Sequence, residues 1–140
     1  MRIPNYFTFF LDDFPFLASI QTKIAAPKKV VHNCGGTIVS TWHILTAAHC
    51  FDKVSDPEVI FVLLGQSYNI VYYDQIKSNT YLYKAEKIII HEGYINNHGI
   101  RINDIAIVKL VREIQVSKVI KVAELPKQHF KAKGKSANYE

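Results

Sequence analysis

The chain has 140 residues, 49% of them hydrophobic, with eight tyrosines, eight phenylalanines and six glycines, a composition that fits one folded domain and excludes a disordered or collagen-like polypeptide. No apolar run approaches the roughly 20 residues a membrane-spanning helix needs, so no membrane partner is expected. Seventeen Lys and Arg against twelve Asp and Glu give a net charge of +5; the late lysines Lys118, Lys121, Lys127, Lys131, Lys133 and Lys135 read as a solvated face and tail, and nucleic acid is not an expected partner.

Residues 1–13 form an N-terminal segment in which Arg2 precedes a short apolar run, Tyr6 to Leu11, closed by Asp12 and Asp13. A secretory signal needs a longer apolar core and a small-residue cleavage site, which leaves two readings: a start upstream, or a chain that is not exported. Phe14 to Gln21 alternates apolar with small or polar positions and predicts a first strand. Lys23 to Lys29, with Pro27, predicts a turn, and Val30 to His32 enters a second strand that continues past Cys34. Between Cys34 and Cys50, Thr37–Val39 and Ile44–Thr46 predict two arms of a hairpin around Ser40, Thr41 and Trp42. Gly35 and Gly36 are expected to leave room for a closely approaching backbone. Thr46, Ala47 and Ala48 then carry His49 on a small-sided turn.

Asp52 to Glu58 is a loop of turn formers, and Val59 to Leu64 an apolar strand ended by Gly65. Tyr68 to Tyr73 predicts one arm of a hairpin with Asp74 to Thr80 as its polar tip. Tyr81 to Ile90 is a long strand, Asn96 to Arg101 a loop, and Asn103 to Leu110 a buried strand opening on Asp104. Tyr68, Tyr72, Tyr73, Tyr81 and Tyr83 sit at strand spacing and read as packing residues rather than a base-stacking platform. Residues 127–140 are polar and lysine-dotted, with no element. About six short strands separated by turns suit an all-β, antiparallel barrel over residues 14–126.

Two cysteines sixteen positions apart are either a bridge in an oxidising compartment or two reduced thiols in a reducing one; a bridge closing such a loop contributes about 3 kcal/mol in the chain-entropy account. They are too sparse, and the histidines too scattered, for a zinc site, so no metal and no cofactor is expected. His32, His43, His91, His98 and His129 follow no ligand spacing and receive no role. Asp104, opening an Ile-Ala-Ile-Val run, either finds donors once desolvated or faces water at a loop end.

Thr46-Ala47-Ala48-His49-Cys50, preceded by Cys34-Gly35-Gly36, resembles the chymotrypsin-like (trypsin-family) serine peptidases. Further likenesses are the aromatic-flanked Pro15, Val59–Gly65, the Asp104-Ile105-Ala106-Ile107 segment with Ile107 where Leu is common, and Val116–Pro126, which resembles the stretch leaving the first barrel. The resemblance runs from about Phe14 to Pro126 and implies a single six-stranded Greek-key barrel, the first of that family's two. It implies a Cys34–Cys50 disulfide, His49 as general base and Asp104 as the carboxylate that orients it, in a triad template that comes from this same family. It also implies a secreted protein.

By the same resemblance, counting back from Pro15 lands on Arg2–Ile3 as the position of an activating cleavage, although Pro4, Asn5 and Tyr6 replace the family's Val-Gly-Gly; the other reading of Arg2 is a basic residue near a start methionine. No serine in the chain stands in a Gly-Asp-Ser-Gly-Gly segment, and Ser136 lacks the glycine that would help form an oxyanion hole. Nucleophile, oxyanion hole and S1 pocket are expected from a second barrel. The chain by itself is therefore expected to be a truncated, inactive endopeptidase domain, binding a protein or peptide substrate only when that barrel is supplied. Until then it is expected to expose an apolar inter-barrel face prone to self-association. The alternative is a non-catalytic single-barrel binding protein using that same face.

Overall fold

The computed structural model describes residues 14–25, 28–66, 70–72 and 80–127. The Arg2–Ile3 bond, the 74–79 tip, Tyr68, Tyr73, His129, Ser136 and the tail beyond Lys127 lie outside the described residues.

Among the described residues nine strands form: β1 Leu17–Ile24, β2 Lys29–Ser40, β3 His43–Thr46, β4 Ile60–Leu64, β5 Ile70–Tyr72, β6 Leu82–Ile90, β7 Ile95–Asn97, β8 Ile100–Ile102 and β9 Ala106–Leu110. Hydrogen-bonded neighbours run β1-β4-β6-β9-β3-β2, and β2 pairs back to β1, so six antiparallel strands close into a barrel with β5 added beside β2. Closure leaves those six without a free edge. The first strand starts three residues later than its alternation predicts, because Phe14 to Phe16 form a turn whose carbonyl at Phe14 accepts from Leu17 N. Strand β5 is an arm as expected, but its partner is β2, with Val31 opposite Ile70.

Each barrel strand sends alternate residues inward. Ile20, Ile38, Ile44, Ile60, Val62, Leu64, Val108 and Leu110 are fully buried in one cluster, with Tyr83, Ile114 and Ile120. Strand β4 is buried on both faces, since Phe61 and Leu63 join Val30 and Leu82 in a second cluster. That double burial is why it reads as an unbroken apolar run rather than an alternating one. The segment after β9 returns along the barrel: Ile114 N donates to Thr41 O, Lys121 N to Pro15 O and Ala123 N to Ile38 O. Gly65 (φ +60°) ends β4 where a Cβ would lie 2.7 Å from Ile120 Cγ1, so both the backbone angle and the space demand glycine there.

The loop expected at Asn96–Arg101 is instead a hairpin. Strands β7 and β8 pair Ile95 with Ile102 and Asn97 with Ile100, around His98 (φ 48°) and Gly99 (φ 90°). Two consecutive residues of positive φ make the tight turn that matches strand twist. The turn residues His98-Gly99 were the available cue, and no alternation between core and solvent accompanied them, because all six strand residues are exposed.

Candidate active site

The hairpin of β2 and β3 sets Thr37 opposite Leu45 and Ile38 opposite Ile44. Its closeness depends on Gly36, where a Cβ would stand 2.8 Å from Ile44 Cγ2 and 3.1 Å from Leu45 O; at Gly35 nothing lies within 4 Å. Only one of the two glycines therefore serves a close approach. Thr46, buried at the end of β3, donates through Oγ1 to Gly35 O at 2.7 Å. Residues Ala48–Phe51 then make a single 3-10 turn in which Ala48, Cys50 and Phe51 point inward. Cys50 is bonded to Cys34 with Cα atoms 6.1 Å apart, and Asn33 Nδ2 donates to Cys50 O at 2.8 Å. With its neighbours on both sides buried or cross-linked, His49 is the member of the turn that faces out, and it is half-buried.

Asp104 reaches the same place from the neighbouring strand, since β3 ends and β9 begins at the Thr46–Ala106 pair. It follows Asn103 (φ 53°) and is separated from the start of β9 by Ile105, so it stands just outside the strand rather than opening it. Its carboxylate takes two bonds from one residue: His49 N donates to Oδ1 at 2.8 Å, and His49 Nδ1 lies 2.7 Å from Oδ2. Partial burial pushes the Asp104 carboxyl up, but the backbone N–H of His49, the imidazole bond, the imidazole's charge and Arg101 together outweigh it, and the net result lies below the ordinary 3.8. The group is thus ionised at neutral pH and can only accept. The proton of the 2.7 Å bond therefore sits on Nδ1, so that in the neutral form of the ring the nitrogen available as a base is Nε2.

Nε2 lies 4.0 Å from Cys50 Sγ, a disulfide sulfur with no proton to give. Cys34, His49 and Cys50 bring potential ligand atoms within 4.8 Å of one another, yet both sulfurs are spent in the disulfide and neither is a thiolate, so this group does not fit a metal. Two other imidazoles meet serines, Ser19 Oγ with His32 Nδ1 and Ser40 Oγ with His43 Nδ1, each at 2.8 Å. Among the described residues no serine hydroxyl bonds His49.

Three residues that sequence reasoning passed over border the pair. Asp52 caps the His49 turn, and its carboxylate accepts from Tyr94 Oη and Asn96 Nδ2. Nothing local marks them, since the partners are more than forty positions apart.

The family model Trypsin matches residues 9–137. The chain belongs to the trypsin family. Its closed barrel is one barrel of the trypsin fold. Similar trypsin-family proteins include chymotrypsin-C of Rattus norvegicus, 37% identical over 97 residues that cover 69% of this chain and 33% of the relative. Venom serine protease 34 of Apis mellifera is 32% identical over 123 residues, 86% of this chain and 28% of that protein. Coagulation factor XI of Bos taurus is 43% identical over 63 residues, 45% and 9% respectively. This chain thus spans a third or less of these relatives' lengths.

Proposed function

We propose that these residues form the base-bearing barrel of a trypsin-like serine endopeptidase, with His49 as general base and Asp104 as its orienter. The observation that carries this reading is the two-point bond from the main chain and the ring of His49 to a single carboxylate. In the mechanism, Nε2 takes the proton of a serine hydroxyl as that oxygen attacks the peptide carbonyl, and later delivers it to the leaving amine; Asp104 holds the ring's tautomer and offsets the imidazolium charge. Nucleophile, oxyanion hole and specificity pocket are assigned to a second barrel, and the chain alone is assigned no hydrolytic activity. The disulfide favours an oxidising, extracellular setting.

The barrel's outer surface supports the assignment of a partner barrel. Pair register sets Leu17, Thr37, Leu45, Ile107 and Ile89 in one outward row across five strands. Leu17 is 39% and Ile89 44% exposed. A row that is apolar at four of its five positions, with Thr37 between Leu17 and Leu45, is the kind of outer surface that another body covers. The test is to co-refold the chain with a trypsin-family second barrel carrying the nucleophilic serine. A serine-directed phosphonate is expected to label nothing in the chain alone and the partner's serine in the assembled pair. His49→Ala should lower amide hydrolysis by at least about 10³-fold, since loss of a triad member removes most of the rate enhancement. Activity in the assembled pair that is indifferent to His49→Ala would refute the assignment.

A further inference from the structure

Two chain segments build the His49–Asp104 pair, residues 48–52 and 91–105, and they meet a second time beside it. Asp52 N donates to His49 O at 3.2 Å, so the Asp52 carboxylate is held one turn from the imidazole. That carboxylate accepts from Tyr94 Oη at 3.0 and 3.1 Å and from Asn96 Nδ2 at 2.7 Å. We propose that Asp52 is a positioning residue: by gripping Tyr94 and Asn96 it fixes the β7–β8 hairpin, and with it the carboxylate of Asp104, against the turn that carries His49. The proposal rests on the base-and-orienter reading above.

The hairpin's own chemistry explains why such a grip is needed. Asn96 pairs with Arg101, so the two share one face of β7–β8, while Ile95, Ile100 and Ile102 share the other. The isoleucine face is turned to solvent, with exposures of 51%, 69% and 49%, and the polar face is turned towards Asp52 and Asp104. A two-stranded hairpin that buries no apolar face has little to hold it in place. Its position is therefore set by the Asn96 bond on one strand, by Tyr94 at its foot and by Asn103 Nδ2, which donates to Gly93 O at 2.9 Å across the base. Asn103 and Asp104 follow β8 directly, so a hairpin that swings carries the carboxylate with it.

Tyr94 adds an electrostatic part. Its ring packs on the main core cluster, its N–H donates to His91 O at 2.9 Å, and burial first, then the Asp52 bond and charge, then Asp104, push its hydroxyl above the usual 10.0. The phenol stays protonated and commits its one proton to Asp52. Among the described residues Asp104 is left to accept from His49 alone, without competition from the Tyr94 hydroxyl.

The full chain, labelled with nitrogen-15 histidine, provides the readout. The Nδ1 proton of His49 should give a low-field resonance, identified as the one lost in Asp104→Asn. In Asp52→Asn its exchange with solvent should quicken about fivefold, the factor equivalent to about 1 kcal/mol, the central value for one hydrogen bond. Tyr94→Phe should give a smaller change, and Asp52→Glu should restore part of the protection. Asp52 is exposed, so global unfolding midpoints should barely move. Unchanged exchange in both Asp52→Asn and Tyr94→Phe would overturn the proposal, as would a change that merely tracks global stability. If the unsubstituted chain shows no Asp104-dependent resonance at all, the base-and-orienter reading itself fails, which is a different result from an intact pair indifferent to Asp52.

Discussion

Substituting Gly36 and Gly35 separately by alanine tests why the histidine-bearing hairpin sits where it does. At Gly36 the new methyl would stand 2.8 Å from Ile44 Cγ2, 3.1 Å from Leu45 O and 3.5 Å from Ile20 Cδ1. Ile44 and Ile20 are fully buried, and the Cγ2 of a β-branched residue cannot move without turning χ1 or shifting the strand. Overpacking of this kind costs about 1–3 kcal/mol. The lost flexibility of the unfolded chain offsets about 0.4–1 kcal/mol of that. A net loss of about 1–2 kcal/mol should lower the melting midpoint of a chain of this length by about 3–8 °C. Gly35→Ala meets nothing within 4 Å and should be neutral or slightly stabilising, by up to about 1 kcal/mol. Calorimetric melts of the two variants beside the parent chain, all oxidised, give the comparison. If Gly35→Ala is as destabilising as Gly36→Ala, the close approach at Gly36 is not what glycine provides.

Replacing both Cys34 and Cys50 by serine reopens a loop spanning sixteen positions, and urea unfolding should show a loss of about 3 kcal/mol; a loss under about 1 kcal/mol would count against the bridge as the anchor of the His49 turn. Asp104 titrates below its ordinary value when folded, so its contribution to stability is complete above the ordinary carboxyl range and disappears as pH falls through the lowered folded value. Unfolding curves of the parent and Asp104→Asn should therefore differ by a constant amount above about pH 5 and converge in more acid solution; a gap that widens towards acid would reverse the sign. Leu110→Ala, at a fully buried position of β9, should cost about 2–5 kcal/mol, read from the same unfolding curves. Ile89→Glu places a charge in the outward apolar row and should weaken both self-association, measured by sedimentation, and docking of a second barrel, without altering the chain's own melting midpoint; unchanged association would remove that row from the interface.

What could be read in the residues divides by distance along the chain. The Cys34–Cys50 stretch was legible because everything that shapes it is local: two short β-branched runs, a turn, and a small-sided delivery of His49 are consecutive. Asp104 was legible only through its likeness to a known segment, since a carboxylate beside an apolar strand is equally consistent with a solvated loop end until His49 N and Nδ1 are seen on its two oxygens. The hairpin at 95–102 escaped because periodicity reports burial, and it buries neither face. Asp52, Tyr94 and Asn96 escaped because no spacing rule links a loop acid to groups 42 and 44 positions later.

The outward row needs a further step, because its members come from five strands and none of those strands marks it as special. Leu17, Leu45, Ile107 and Ile89 become one surface only when the register of four pairings is known. In each strand they occupy the positions opposite in phase to the core, where Ala18, Ile44, Val108 and, across the bulge at Ala85–Lys87, Ala85 point inward. An ordinary antiparallel barrel presents polar residues in that phase. The same strands present His43, Lys109 and Lys87 one cross-strand row further along. Leu17, Leu45, Ile107 and Ile89 therefore form a band beside the end of the barrel where β9 begins and Asp104 meets His49, separate from Phe61, Leu63 and Leu82, which are buried in the second cluster. On the proposed reading, a partner barrel covering that band would bring its nucleophile to the same end of the barrel as His49, the placement that proton transfer to Nε2 requires.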